Sequence, residues 1–258
     1  KMTEAARIIL NLEGIGIDIN MGCSAPEIYK HQAGIAWMLK DKNETAKMVR
    51  SVADQVQSYN SHHENKKRLS VKLRLGNDDF TDEFFYNFCD MLVDEGVELL
   101  TLHPRTKKEK LTRPPRYEYC QKIAERYKNQ KVKVYLNGKV SDWNSFNDAL
   151  VKAPDVDGVM ISTAAVQKPW IFAQLKQLAL EPVNMEKLSL QYIEDIEQFQ
   201  PPEFWKTRLQ RFFTYFSKNF KFSHYAQSQF LNAKDNGDLR KRISDFFYKC
   251  PDERIKKL

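Results

Sequence analysis

Residues 97–103, VELLTLH, place two leucines side by side in a short run between polar segments. Consecutive apolar positions are typical of a parallel strand that is buried on both faces. We interpret four more short aliphatic or β-branched runs in the same way: GIDIN at 16–20, LSVKLRL at 69–75, VKVYLN at 132–137 and DGVMIS at 157–162. Longer amphipathic stretches, which predict helices, lie at about 41–59, 79–95, 115–129, 141–152 and 167–180.

The order of these runs predicts five βα units in succession and an α/β fold. Repeated βα units suit either a doubly wound sheet or a (β/α)8 barrel of the TIM type, and periodicity does not choose between them. No G-x-G-x-x-G follows a strand, since Gly14-Ile15-Gly16 precedes one, and the chain has no Walker A loop. A nucleotide-binding doubly wound sheet therefore lacks its usual sequence features, and we favour the barrel.

Beyond Pro182 the strand-like runs stop, and from about residue 189 the pattern is helical. Pro201 and Pro202 mark a helix start, with Glu203 in the first turn, and a final helix is predicted near 237–249. The sequence thus predicts two domains, a barrel over residues 1–182 and a small all-helical domain over residues 183–258.

The composition describes an ordinary folded protein, since 42% of the 258 residues are hydrophobic and 29% are charged. No apolar run approaches the roughly 20 residues of a membrane-spanning helix, and residues 1–12 do not have the features of a signal peptide. The four cysteines form no C-x-x-C pair, so neither a disulfide framework nor a metal site is indicated. We expect a cytoplasmic protein, with no membrane partner and no obligatory protein partner.

Positive charge is concentrated at the carboxyl end of the chain. The formal net charge is +7, and the last 56 residues hold 13 Lys and Arg against 6 Asp and Glu. Such a local excess indicates a polyanionic partner. A solvated basic helical surface explains the charge alone equally well.

Polar and reactive residue types gather where the predicted strands end, which is where a barrel of this kind carries its chemistry. They are Cys23, Lys72, His103, the pair Asn137-Gly138 and the pair Ser162-Thr163. Taken singly, most have a structural interpretation, because cysteine is often a core residue and Asn-Gly often a turn. Lys72 is the exception, since an ammonium in an apolar strand needs a partner or a polar cavity.

The chain resembles the dihydrouridine synthases, which are flavin-dependent enzymes that reduce uridine in transfer RNA. The resemblance is carried by five motifs in the family's order: IDINMGC at 17–23, VKLRLG at 71–76, LHPRT at 102–106, LNGKV at 136–140 and GVMIS…PWIF at 158–172. It runs from about residue 1 to 180 and extends more weakly through the tail.

The resemblance implies FMN as cofactor, NADPH as its reductant and tRNA as substrate. Hydride passes from the flavin to C6 of uracil, and Cys23 matches the cysteine that gives a proton to C5; a cysteine thiol is mostly protonated at neutral pH. Lys72 and His103 match the family's flavin-contacting lysine and histidine. Asn137 and Gly138 match the loop that approaches the FMN phosphate.

Three departures from the family pattern stand out. Ser24 follows Cys23 where a proline is usual, and Ser162-Thr163 replaces a Gly-Arg pair that binds phosphate, leaving hydroxyls and backbone N–H groups as weaker ligands. The family's first three βα units have no counterpart ahead of IDINMGC. We therefore expect a fragment, or segments missing from the sequence, and a five-stranded sheet with exposed edges and apolar faces.

The tail predicts a helix with two different faces. Trp205, Leu209, Phe212, Phe216 and Phe220 recur at helical spacing and predict a core stripe. A separate solvent face carries Arg208, Arg211 and Lys218 together with Tyr215, and the next helix adds Arg240, Lys241 and Arg242. We interpret these six basic residues as contacts to the tRNA backbone.

The sequence therefore predicts an FMN- and NADPH-dependent tRNA-dihydrouridine synthase. Ser162-Thr163 and the missing units keep open a tRNA-binding protein of the same fold that has lost catalysis. An FMN barrel that acts on a free pyrimidine is a third reading, and the basic aromatic tail disfavours it because a small substrate needs no such surface.

Overall fold

The computed structural model of the chain describes residues 1–109 and 112–258. These residues fall into two compact units. The first consists of Lys1–Val140 and Asn147–Met160, and the second of Ser141–Phe146 and Ile161–Leu258. The predicted division into a barrel over residues 1–182 and a helical domain over residues 183–258 stays a prediction.

The first part of the chain alternates strands with helices in the predicted order. The elements are α1 Met2–Leu10, β1 Gly16–Met21, α2 Pro26–Lys30, α3 Ala36–Leu39, α4 Lys42–His62, β2 Arg68–Leu73, α5 Asp82–Asp94, β3 Leu99–Leu102, α6 Tyr117–Tyr127, β4 Lys133–Asn137, α7 Trp143–Lys152 and β5 Gly158–Met160. Within the described residues the strands form one five-stranded sheet of order β1-β2-β3-β4-β5, and every neighbouring pair is parallel. The predicted α/β class and strand order are confirmed.

Side-chain caps determine where helices α4 and α5 begin. The Asp41 carboxylate accepts from the backbone N–H groups of Asn43 and Glu44 at 2.9 and 3.1 Å, which caps α4. The Thr81 hydroxyl accepts from Phe84 N at 3.1 Å and caps α5. Each cap satisfies N–H groups that have no partner inside the helix, so both helices begin at defined residues.

The two faces of the sheet differ in chemistry. One face is apolar and buried, with Ile17, Ile19, Met21, Leu69, Val71, Leu73, Leu100, Leu102, Val134 and Leu136 on it. The other face carries Asp18 and Asn20 on β1, Ser70 and Lys72 on β2, Thr101 on β3 and Tyr135 on β4, which the parallel register places in adjacent rows. Successive strand residues point to opposite faces, so the same strands supply a core and a polar surface.

The prediction that all five strands are buried on both faces is wrong for the edge strands β1 and β5. In β5, Gly158 and Val159 are half-buried and Met160 is exposed. Asp18 and Asn20 are exposed, while Ile17, Ile19 and Met21 between them are buried. Within the described sheet β1 and β5 are the edge strands, as expected for five strands. The exposed face at β1 is polar, however, where an apolar face was expected.

The second unit contains helices and a two-stranded antiparallel ladder. The elements are α8 Thr163–Gln167, α9 Ile171–Leu175, β6 Val183–Asn184, α10 Met185–Phe199, α11 Pro202–Phe216, α12 Ser223–Leu231, α13 Asn236–Lys249 and β7 Ile255–Lys256. Its core is rich in phenylalanine, and Phe212, Phe213, Phe216, Phe220, Phe230, Phe246 and Phe247 are all buried there. No helix in the described parts of the chain meets the length and hydropathy that a membrane crossing requires.

Two helix predictions in this unit need correction. Of the helix predicted over 167–180 only the short α9, Ile171–Leu175, forms, and α8 lies ahead of that range and ends at Gln167. Pro169 separates the two helices, because it has no N–H to donate and restricts the residue before it. Helix α11 starts at Pro202 as predicted but ends at Phe216, and Ser217–Asn219 form a 3₁₀ turn. The predicted core stripe is buried from Leu209 to Phe220, with Trp205 half-buried.

Candidate active site

Cys23 lies in a tight loop directly after β1, at the carboxyl edge of the sheet. The side-chain oxygen of Asn20 accepts from Gly22 N at 3.0 Å and from Cys23 N at 3.1 Å. The Cys23 carbonyl in turn accepts from Ile35 N at 2.9 Å. These bonds fix the backbone on both sides of a half-buried free thiol.

Gly34 packs against this loop so closely that no other residue fits. Its φ is +60°, and a Cβ at this position would lie 2.5 Å from the Cys23 carbonyl oxygen and 3.0 Å from the Cys23 Cβ. A left-handed backbone and backbone contact below 3 Å both require glycine. The loop that carries the thiol therefore packs directly against the backbone of Gly34, with no room for a side chain between them.

Arg74 joins the end of β1 to the loop that follows β3. Its Nε donates to the Gly22 carbonyl at 2.8 Å, and its Nη1 donates to the Thr106 carbonyl at 3.1 Å. The side chain is buried at 8% exposure. The sequence placed Arg74 on strand two without assigning it a role; its neighbours show that it ties the cysteine loop to the third strand.

Lys72 stands in the same row as Asn20 and Thr101 on the polar face. Within the described residues its ammonium has no hydrogen-bond acceptor and no carboxylate within ion-pair distance. Burial lowers the pKa of Lys72, and the nearby Arg74 guanidinium lowers it further, while Asp18 acts in the opposite direction. A half-buried cation in this position favours an anionic or electron-rich ligand.

His103 follows β3 and is held as a neutral ring. Arg105, the largest fully buried side chain of the chain's described part at 1% exposure, donates from Nη1 to His103 Nε2 at 2.6 Å. Burial lowers the pKa of His103 from its ordinary value of 6.5 to about 3, with Arg74, Lys72 and Arg105 adding repulsion. Because Nε2 accepts, the ring proton lies on Nδ1, which leaves Nδ1–H as a donor.

Asn137 and Gly138 end β4 beside His103. The Asn137 amide donates to the Met160 carbonyl at 2.7 Å, which joins the ends of β4 and β5. Gly138 has φ +125°, and a Cβ there would lie 3.0 Å from the His103 ring. The Tyr117 hydroxyl donates to the Gly138 carbonyl. The structure thus brings this pair to the histidine, with the Asn137 amide already used inside the protein.

Ser162 and Thr163 belong to the second unit, at the start of α8. Both are exposed, and the Ser162 carbonyl accepts from Ala165 N at 3.1 Å and Val166 N at 3.3 Å. Neither hydroxyl caps the helix. Their predicted phosphate-binding role stays a prediction.

Positive charge at the strand ends is not balanced by carboxylates. Among the described residues, Arg74 and Arg105 donate to carbonyl oxygens and to His103, and neither forms an ion pair. Buried guanidinium groups without counter-charge are costly unless a ligand supplies the charge. The arrangement therefore suits a bound anion or a group that becomes anionic during reaction, beside a thiol able to donate a proton.

The six predicted tRNA contacts differ in their surroundings. Arg208, Arg211 and Lys218 are exposed on the second unit, and the Lys218 ammonium lies 5.3 Å from the Tyr215 ring centroid. Arg240 forms an ion pair with Glu197 at 2.5 Å, and Arg242 forms one with Asp238 at 2.9 Å. Lys241 between them is exposed. The ion pair of Arg240 was not predictable from the sequence, because its partner Glu197 lies on another helix, α10.

The sheet is parallel and built from βα units, and its reactive side chains lie at the carboxyl ends of the strands. These features define an α/β protein of the class that carries its chemistry on the loops after the strands. The sequence profile of the dihydrouridine synthase (Dus) family matches residues 1–247. The chain belongs to this family.

Individual relatives agree with the family assignment. The chain is 31% identical over 199 residues to a Helicobacter pylori protein named a probable tRNA-dihydrouridine synthase, which covers 76% of this chain and 56% of that protein. It is 28% identical over 161 residues to a probable tRNA-dihydrouridine synthase of Aquifex aeolicus, covering 62% and 46%. It is 30% identical over 164 residues to the NAD(P)+-type tRNA-dihydrouridine(20) synthase of Schizosaccharomyces pombe, covering 63% and 32%.

The chain thus spans about half the length of the bacterial relatives that it matches. A solved structure of a dihydrodipicolinate synthase family protein from Coccidioides immitis aligns with a TM-score of 0.46 at 12% identity, covering 98% of this chain and 89% of that one. A score at this level carries no conclusion about this chain.

Proposed function

We propose that the protein reduces uridine to 5,6-dihydrouridine in tRNA, with FMN as bound cofactor and NADPH as reductant. The observation that carries the proposal is the free thiol of Cys23, fixed in its loop next to strand-end cations that lack carboxylate partners. Family membership and the names of the relatives support the same activity. The barrel architecture over residues 1–182 and the tRNA-binding domain over residues 183–258 are part of this proposal, as is a cytoplasmic location.

The strand-end residues fit a flavin. The ammonium of Lys72 has no acceptor within the described chain, the ring of His103 presents one N–H, and Gly138 keeps the β4 loop free of a side chain next to that ring. When bound, FMN would supply the hydride. Lys72 and His103 would bind its polar edge as donors, and the excess positive charge would stabilise the reduced, anionic form.

The protein's own residues handle the proton. Uridine gains a hydride at C6 and a proton at C5, so one acid must stand at the C5 side. Cys23 gives up the proton of its thiol and regains one from solvent, while Asn20 and Gly34 hold its backbone in place. Reduction of one uridine consumes one NADPH and one proton, and atoms and charge balance.

The proposal is tested by purifying the protein and recording its flavin spectrum, then measuring dihydrouridine in unmodified tRNA after incubation with NADPH. We expect a bound yellow chromophore and one NADPH consumed per dihydrouridine formed. A folded, colourless protein that binds tRNA would instead favour the non-catalytic alternative, to which the Ser162-Thr163 replacement points.

A further inference from the structure

A cavity lies among the loops that follow β2 and β3. Its volume is about 470 Å³, and it is lined by Asp78, Phe80, Thr106, Lys108, Glu109, Thr112, Arg113 and Arg116. We propose that this cavity binds the adenosine half of NADPH, with Arg113 and Lys108 as ligands of the 2′-phosphate. The inference rests on the proposed function, since it supplies the binding site for that reaction's reductant.

The cations of the cavity are more available to a ligand than its carboxylates. Asp78 accepts the Thr106 hydroxyl, a bond that lowers the pKa of the carboxyl. Glu109 accepts from Thr106 N at 2.7 Å and from the Arg116 guanidinium at 2.8 Å. Arg113 is exposed, and no carboxylate among the described residues lies within ion-pair distance of it. Lys108 has only a long 3.4 Å contact to Asp78 and is 76% exposed.

Arg116 supplies a second, independent sign of a ligand. Its guanidinium lies 5.3 Å from the Phe80 ring centroid, so a flat cationic surface and an aromatic ring stand together on the cavity wall. Its Nε is buried and has no hydrogen-bond partner among the described residues. A buried donor without a partner is costly, and a polar group of a nucleotide would satisfy it.

The cavity is coupled to the candidate active site through one side chain. Arg74 donates to the carbonyl of Thr106, which lines the cavity, and to the carbonyl of Gly22, next to Cys23. The same buried arginine therefore joins a residue of the cavity wall to the loop that carries Cys23.

Mixed charge favours a nucleotide over an RNA backbone. The volume is within the usual range of about 300–1,000 Å³ for small-molecule sites. A single phosphate can pair with an arginine such as Arg113, and the carboxylates of Asp78 and Glu109 already accept from Thr106 and Arg116. The successive phosphates of an RNA backbone would also pass these two carboxylates, which repel them.

The test is calorimetric titration of the purified protein with adenosine 2′,5′-bisphosphate and, separately, with 5′-AMP, which lacks the 2′-phosphate. We expect Arg113→Ala to weaken bisphosphate binding roughly ten- to a hundredfold, as for a lost hydrogen bond to a charged group, and to leave 5′-AMP binding unchanged. The matched control is Lys131→Ala, which removes an exposed cation near the amino end of β4 and should change neither titration. Among the described residues the Arg113 side chain forms no hydrogen bond or ion pair, and the Arg113 carbonyl, which the substitution keeps, accepts from Arg105 Nε.

Three outcomes would overturn the assignment: no bisphosphate binding by the wild-type protein, equal binding by Arg113→Ala, or a loss of tRNA affinity in that variant with the bisphosphate unaffected. A second assay separates this failure from failure of the proposed function. Enzyme reduced by dithionite instead of NADPH is mixed with tRNA in a single turnover. Formation of dihydrouridine there with no bisphosphate site would refute the cavity alone, and no dihydrouridine would refute the function itself.

Discussion

Cations at the carboxyl edge of the sheet and cations on the helices of the second unit have different partners. Arg74 and Arg105 are buried and donate to carbonyl oxygens and a histidine. Arg240 and Arg242 are only half-buried and pair with carboxylates, while Arg208 and Arg211 are exposed. The first arrangement holds unbalanced charge in fixed positions, as a small ligand requires. The second leaves exposed charge at the surface, where the phosphates of an RNA backbone can reach it.

The largest expected effect belongs to Cys23→Ala. Without the thiol the C5 proton has no donor, so dihydrouridine formation should fall by at least about a hundredfold, the low end for general acid catalysis. Flavin binding and flavin reduction by NADPH should survive, since neither step needs this acid. Cys250→Ala, which removes the half-buried thiol of the second unit, is the matched control. Near-normal turnover by Cys23→Ala would remove the role proposed for it.

Removal of Lys72 or His103 separates a ligand role from a structural one. Lys72→Ala and His103→Ala should each weaken FMN binding by about 1.5–3 kcal/mol, the range for a hydrogen bond to a charged group. Fluorescence titration of the apoprotein with FMN measures this loss. The exposed Lys133, which pairs with Asp157 at the amino end of β4, provides the control variant Lys133→Ala. If Lys72 were only structural, its variant would lose stability with FMN affinity unchanged.

Gly34→Ala tests the close contact between Gly34 and the backbone of Cys23. The added Cβ meets the Cys23 carbonyl at 2.5 Å and φ is +60°, so the free energy of unfolding should fall by about 1–3 kcal/mol. Urea denaturation measures it. Gly14→Ala also places alanine at positive φ, but nothing lies within 4 Å of its Cβ. The excess loss in Gly34→Ala over Gly14→Ala reports the contact, and equal losses would show that the loop gives way freely.

The neutral state of His103 has a pH signature. Its folded pKa of about 3 lies below the ordinary 6.5, so between these values the unfolded chain binds more protons and stability is lost as pH falls. The loss attributable to this ring approaches about 1.4 kcal/mol per pH unit below pH 6. Urea unfolding of the wild type and of His103→Gln at pH 7, 6 and 5 isolates it. A difference between the two proteins that stays constant with pH would mean that the ring is not held neutral.

The smallest effect is expected on the helices. The triple variant Arg208→Ala, Arg211→Ala, Lys218→Ala should keep its fold and flavin while its log-log salt dependence of tRNA binding flattens by up to about one unit per lost contact. Arg240→Ala should change that slope less, because Glu197 already neutralises this guanidinium, and should cost about 0.5–1 kcal/mol of stability. An unchanged slope in the triple variant would place the tRNA elsewhere, with the rim around Lys107, Lys108 and Arg113 as the next surface to test.

The order of the strands along the chain was predictable because each strand is a short aliphatic run with its own local pattern. The aromatic stripe of the tail was predictable because helical spacing is also a local pattern, and the burial of these side chains confirms it. The features that could not be predicted depend on hydrogen bonds and ion pairs between residues that are distant in sequence. The Arg74 bridge joins residues 52 and 32 positions away, and the Arg240 pair spans 43. The polar face at β1 was predictable in principle, because Asp18 and Asn20 alternate with Ile17 and Ile19. That alternation indicates a strand that is buried on one face only.

The distribution of thiols gives the protein two built-in labelling positions. Cys89 and Cys120 are buried, and burial raises the pKa of both thiols, which protects them from alkylation. Cys23 and Cys250 are half-buried, one in each unit. In a Cys250→Ser background, a maleimide fluorophore would therefore report from the strand-end loop alone. Its rate of attachment, with and without FMN, would follow access to the candidate site without any turnover assay.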